Sequence, residues 1–190
     1  MSAHFDPTAG RARLLELVRE RAYRDGLDIV LASGKRSTFY IDGKRVTLHP
    51  EGLWLAARLM LEELREHPQV TAVGGLTMGA DPLASAVAAL SFETGQNLSA
   101  FLVRKEPKRH GTGSRIEGDL ARGQKVAILE DTVTTGGSAR RAIEAVEEAG
   151  AVPELVLAVA DREDEDAAPF RAEYRVVPLL TLTQIRSGRV

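Results

Sequence analysis

From residue 70 onward, short apolar runs alternate with helical stretches, and this rhythm restricts the fold more than any other feature of the chain. The runs at residues 70–73, 99–103, 125–129 and 155–160 read as strands, and residues 82–92 and 138–149 read as helices. Runs that are apolar throughout, instead of at every second position, belong to strands buried on both faces, and strands separated by helices pair in parallel. The expected fold is therefore α/β, a doubly wound, mostly parallel sheet. Residues 74–80 and 104–123 read as loops. Ahead of this region, Leu14, Leu15, Val18 and Ala22 recur at helical spacing and Gly26 supplies a stop, which predicts a helix over 8–25. Extended runs at 27–31 and 38–41 flank the turn-like Ser33-Gly34-Lys35-Arg36, and a helix opens at Pro50 and runs to about His67. Residues 1–48 lack the strand–helix alternation and are expected to form an N-terminal helix and hood on a core of residues 49–190, a single domain overall.

Composition narrows the possible functions. The chain has no cysteine, which removes thiolate nucleophiles, disulfides and thiolate metal sites. No apolar run approaches membrane-spanning length, and 25 basic against 27 acidic residues leave a net charge of −2. A chain of this kind is expected to work in the cytoplasm on small molecules, without nucleic acid or membrane as partner.

In open α/β sheets ligands bind at the carboxyl ends of the strands, so those ends are where function is sought. One of them reads Val126-Ala127-Ile128-Leu129-Glu130-Asp131-Thr132-Val133-Thr134-Thr135-Gly136-Gly137-Ser138. An apolar strand delivers two adjacent carboxylates, expected to be exposed to solvent and equivalent in role. A loop of hydroxyls and glycines then enters a helix, whose first N–H groups suit an anion. Carboxylates beside a phosphate cradle call for a further ligand, such as ribose hydroxyls or a magnesium-bound group. A glycine-bearing turn alone would be ordinary; the complete order is specific, and it is neither a Walker A loop nor a Rossmann fingerprint.

A second stretch reads Arg104-Lys105-Glu106-Pro107-Lys108-Arg109-His110-Gly111-Thr112-Gly113-Ser114-Arg115. Taken alone, such a charge run is a solvated face. Its position at a predicted strand end, and the glycines at 111, 113 and 118, make it a candidate lid for a polyanion.

The first motif resembles the phosphoribosyl-pyrophosphate signature of the type I phosphoribosyltransferases, and Arg-Lys-Glu-x-Lys-x-His-Gly resembles the catalytic loop of the orotate phosphoribosyltransferase family. The resemblance runs from about Leu14 to the end of the chain. It implies transfer of a phosphoribosyl group to orotate in pyrimidine biosynthesis, with Mg2+ held mainly through phosphoribosyl pyrophosphate. It also implies a homodimer in which the basic loop of one subunit covers the site of the other. By resemblance, Lys105, Lys108, His110 and Asp131 are catalytic. Phosphoribosyl pyrophosphate is held by Arg104, Lys105, Lys108, His110, Glu130, Asp131, Thr132, Val133, Thr134, Thr135, Gly136, Gly137 and Ser138. Tyr40, Ile41, Thr134 and Arg162 match the orotate contacts, although Tyr40 and Ile41 are equally explained as ordinary strand residues. Residues 74–82 match the loop that holds pyrophosphate. Two positions depart from the pattern: Ala32 and Met78 stand where many relatives carry lysine, and Lys35 or Arg36 are the nearby cations that could replace them. The rival functions are a purine phosphoribosyltransferase, a phosphoribosyl-pyrophosphate-sensing regulator that binds RNA, and a plain nucleotide-binding module.

Overall fold

A computed structural model describes residues 5–30, 34, 36–106 and 114–190. Helix α1 spans Pro7–Leu17, capped by Asp6, whose carboxylate accepts from the Thr8 and Ala9 N–H groups, and it continues as a wider turn over Val18–Ala22. The expected helix over 8–25 therefore ends three residues early, because Tyr23–Arg24 forms strand β1. Three further two-residue strands follow: β2 (Ile29–Val30), β3 (Arg36–Ser37) and β4 (Tyr40–Ile41). β1 pairs antiparallel with β4, and β2 with β3. A short helix α2 (Lys44–Thr47), not foreseen from the sequence, leads to α3 (Pro50–Leu64).

The core contains β5 (Ala72–Leu76), α4 (Asp81–Glu93), β6 (Ser99–Val103), β7 (Ile116–Glu117), β8 (Lys125–Val133), α5 (Gly137–Glu148), β9 (Val152–Asp161), α6 (Ala168–Glu173), β10 (Val176–Thr181) and α7 (Leu182–Ser187). Six strands form one sheet in the order β10-β9-β8-β5-β6-β7, parallel except for the β6–β7 pair. The doubly wound fold is thus observed. Residues 74–76, read as loop, lie in β5: Gly74 pairs with both Phe101 and Ile128. Likewise β8 runs four residues past Leu129, so Glu130, Asp131, Thr132 and Val133 belong to a strand. The long polar stretch after β6 returns as β7, making a hairpin whose base is the Arg104 N–H to Arg115 carbonyl bond of 2.8 Å.

Side chains alternate across the buried strands. Ala127 and Leu129 join α1, α3 and α4 in one apolar core, whereas Val126 and Ile128 join α5 in the other. On α5 the apolar positions Ala139, Ala142, Ile143 and Val146 follow the three-and-four spacing that gives a helix one buried face. The first strand laid down, β5, is neighboured by β6 on one side and by β8 on the other. The chain reverses its winding direction there, and this switch point is where an open sheet leaves a crevice.

Candidate active site

The carboxyl ends of β5 and β8 meet at that crevice, and the two acids of the signature lie in it. Both are buried: Glu130 and Asp131 are each 6% exposed. The expectation of two solvent-exposed carboxylates is therefore corrected, and the reason is local packing. Two glycines press against them. A Cβ on Gly79, in the loop after β5, would stand 3.0 Å from Asp131 Oδ1 and 3.1 Å from Glu130 Oε1. A Cβ on Gly43 would stand 2.6 Å from Thr132 Oγ1 and 2.9 Å from Asp131 Cβ. No other residue type lets both backbones approach the acids this closely.

Burial makes the two acids unequal. Asp131 Oδ2 accepts from Lys44 Nζ at 3.1 Å and its Oδ1 accepts from the Thr132 N–H at 2.8 Å. Burial works against the Lys44 charge, but Asp131, with Asp42 and Tyr40, outweighs it and raises the lysine pKa. For Glu130 the Lys44 and Arg141 charges are the lesser influence, and its Oε2 is buried without a partner among the described residues. Desolvation first, then the neighbouring Asp131 charge and a hydrogen bond to Asp131, push Glu130 up to about 8. At neutral pH Glu130 therefore holds its proton.

This has a consequence for stability. An acid whose pKa rises on folding binds its proton more tightly in the native state. Its contribution is complete below the unfolded value near 4.5 and is lost as pH climbs to about 8. Glu130→Gln should therefore gain stability over the native chain progressively between those limits, by a few kcal/mol in order of magnitude, and level off above them. Thermal denaturation at pH 5, 7 and 9 measures this; a difference that stays constant across the three would disprove the protonated Glu130.

Beyond Val133 the loop carries Thr134 and Thr135, both exposed. Gly136 then turns with φ +80 into α5 and, as its N-cap, offers no side-chain acceptor; Thr135 Oγ1 accepts from the Gly137 N–H at a long 3.4 Å. A helix start met only by one long hydroxyl contact, beside exposed hydroxyls, can receive a phosphate. Ser138 lies in the first turn of α5. Val133 points elsewhere, packing with Ala158 and Ala167, so any ligand contact it makes is through its backbone. The Thr132 hydroxyl is buried without a partner.

The base side of the crevice is formed by β9 and the hood. Val133 pairs with Asp161, which places Thr134 and Arg162 next to each other at the ends of adjacent strands. Arg162 is 3% exposed and its Nη2 donates to Ser37 Oγ at 3.4 Å. Of the two expected hood residues, Tyr40 is exposed and Ile41 is buried in the main core. The residue that meets Arg162 is Phe39, one position earlier. Sequence reasoning missed it, as it missed Lys44; both are defined by contacts across the chain.

The basic loop leaves β6, two strands from β8, roughly 10 Å away at the usual strand spacing. Arg104 is held at the hairpin base by an ion pair with Glu117, while Lys105 is exposed just beyond it. Lys108 and His110 lie outside the described residues, as do Ala32 and Lys35. Arg36 forms an ion pair with Asp28 on the outer hairpin, and Met78 is 67% exposed, so the cation brought to the signature acids is Lys44.

A doubly wound sheet with paired acids and a hydroxyl-rich loop opening a helix at its switch point defines a type I phosphoribosyltransferase. No family profile matches the chain. Over 176 residues it is 49% identical to an orotate phosphoribosyltransferase of Thermosynechococcus vestitus, covering 92% of this chain and 90% of that protein. The orotate phosphoribosyltransferase of Mycobacterium tuberculosis crystallised with Fe(III) dicitrate superposes with a TM-score of 0.79 at 40% identity, covering 93% of this chain and 98% of that one. The same enzyme crystallised with 5-phospho-α-D-ribosyl 1-diphosphate gives 0.75 at 37% identity, over 93% and 99%. The chain belongs to the orotate phosphoribosyltransferase family. The purine and regulatory alternatives are not favoured.

Proposed function

We propose that this chain transfers the 5-phosphoribosyl group of phosphoribosyl pyrophosphate to orotate, giving orotidine 5′-monophosphate and pyrophosphate in pyrimidine biosynthesis. The observation that carries the reading is the buried Glu130–Asp131 pair beside the hydroxyl-rich start of α5, one strand from the hooded Arg162. In the reaction orotate N1 bonds to ribose C1, the C1–O bond to diphosphate breaks with its electron pair leaving on pyrophosphate, and the N1 proton is lost.

In this reading the first turn of α5 and Thr134, Thr135 and Ser138 bind the ribose 5-phosphate. Asp131 accepts from a ribose hydroxyl, and Glu130, protonated, donates to a ribose oxygen. The exposed turn at residues 77–79 meets the diphosphate. Arg162 takes the orotate carboxylate, with Thr134 beside the ring and Tyr40 and Ile41 in the strand over it. Arg104, Lys105, Lys108 and His110 serve the leaving pyrophosphate, whose charge builds as the bond breaks. Residues 1–48 form the hood and 49–190 the core.

Among the described residues no group of three or more acidic or histidine side chains could hold a metal ion. Mg2+ is taken to arrive on the substrate, since this ion keeps several waters and binds through phosphates instead of a protein cage. When bound, it neutralises diphosphate charge. We place the protein in the cytoplasm, as a homodimer whose basic loop serves the partner's site. Among the described residues no helix is long and apolar enough to cross a membrane.

Incubation with orotate, phosphoribosyl pyrophosphate and magnesium should consume orotate absorbance and yield orotidine monophosphate; adenine turnover in its place would overturn the reading. Arg162→Ala should weaken orotate by ~10–150-fold, the range for losing a hydrogen-bonded charged partner. Phosphoribosyl pyrophosphate should be much less affected, and equal weakening of both would count against Arg162. Uracil, lacking the carboxylate, should be a poor substrate of the native chain.

A further inference from the structure

Arg162 sits in an unusual environment for a buried cation. Asp164 Oδ2 lies 3.3 Å from its Nε, yet Nε has no aligned acceptor, so that contact is one of charge and not a hydrogen bond. Ser37 Oγ, which donates to the Phe39 carbonyl at 2.7 Å, accepts from Nη2 at 3.4 Å. A guanidinium has five N–H donors, and burying it with so few acceptors among the described residues is costly. Its aromatic partner is Phe39, with the ring centroid 4.5 Å from Cζ.

The same ring receives a second guanidinium. Arg186 Cζ, from the C-terminal helix α7, lies 4.7 Å from the Phe39 centroid. Two cations on one ring repel each other and raise the positive potential beneath the hood. This favours a carboxylate. Arg186 is itself anchored: its Nε donates to Tyr23 Oη at 3.3 Å. The Tyr23 hydroxyl in turn donates to Asp25, and that bond, with the Gly26 N–H and the Arg186 charge, holds Asp25 below its ordinary pKa. Tyr23 also pairs in the backbone with Ile41, two residues beyond Phe39. Four separated segments thus converge on one ring: β1, the hood strand that follows it, the end of β9 and α7.

We propose that Phe39 and Arg186 are positioning residues for base recognition: the Phe39 ring, gripped by Arg186, fixes the Arg162 guanidinium to receive the pyrimidine carboxylate. The inference rests on the assignment of Arg162 to orotate made above. Neither residue touches the substrate. Both act on how well a single arginine is aimed, so they govern orotate affinity and leave the ribosyl-pyrophosphate side alone.

Four variants test this: Phe39→Leu, Phe39→Tyr, Arg186→Ala and Arg162→Ala. Phe39→Leu and Arg186→Ala should each raise the KM for orotate by about 3- to 30-fold, the span between exposed and desolvated cation–π contacts. The KM for phosphoribosyl pyrophosphate and kcat should stay near native values, and Phe39→Tyr, which keeps the ring, should behave as the native chain. Adding Phe39→Leu to Arg162→Ala should cost nothing further for orotate, because the residue being aimed is gone. If Arg162→Ala itself spares orotate, the assignment of that arginine falls and takes the inference with it. If Arg162→Ala weakens orotate while Phe39→Leu and Arg186→Ala leave its KM unchanged, or raise both KM values together, the positioning role alone is overturned. Should Phe39→Leu not fold, Arg186→Ala, on an exposed helix position, decides the matter by itself.

Discussion

Lys105→Ala is expected to lower turnover by about 10²–10³-fold, the range for removing one preorganised electrostatic donor from a transition state. The argument begins with where the residue sits. β6 and β7 form a hairpin at the sheet edge, and Arg104 is fixed at its base by Glu117. Lys105 is the first exposed cation beyond that fixed point, so it has the reach of a mobile ammonium on an anchored stem. Pyrophosphate gains charge mainly as its bond to ribose breaks. A cation directed at it therefore stabilises the transition state more than the bound substrate, and the loss should fall on kcat, with only a small change in affinity. Steady-state kinetics combined with direct titration of phosphoribosyl pyrophosphate separates the two effects. Near-native turnover accompanied by weaker binding would show that Lys105 merely holds the substrate.

The fold was legible between residues 70 and 160 because the runs there are almost wholly apolar, whereas β7, α6, β10 and α7 were not read. Ser99–Val103 matches its expected limits. Misreadings cluster where polarity and structure part company. Glu130, Asp131 and Thr132 look like loop residues, yet they continue the β8–β9 ladder, because the glycine-lined segments around Gly43 and Gly79 cover them. The same covering turned two apparently exposed acids into a buried pair, of which Glu130 holds its proton more tightly than a free carboxyl. Local sequence carries no trace of this, since Gly43 lies far from the acids along the chain. Phe39 and Lys44 escaped notice for the same reason. A ring beside two arginines and a lysine beside an aspartate are facts of tertiary contact, and neither belongs to a motif. The signature loop was readable because its chemistry is local: hydroxyls, glycines and a helix start in succession.

The largest contrast is expected from mixed dimers, which test the proposed sharing of the basic loop. Lys105→Ala and Asp131→Asn should each be nearly inactive alone, the first through the leaving group and the second through the ribose. Asp131→Asn should leave the fold intact by circular dichroism; the Asp131–Lys44 contact then loses its ionic character while keeping its shape. The two variants are unfolded together and refolded so that subunits pair at random. If each loop serves its partner's site, one site of every mixed dimer combines the native Asp131 of one subunit with the native Lys105 of the other. The second site of that dimer carries both defects. Half the dimers are mixed and half of their sites work, so roughly a quarter of native activity should return. If each loop instead serves its own subunit, every site contains one defect and nothing returns. Native mass spectrometry confirms that mixed dimers formed, and activity near zero in their presence would rule out the shared loop. A chain that stays monomeric would rule it out sooner, because Lys105 would then have to reach Asp131 within its own subunit, across the two strand spacings that separate β6 from β8.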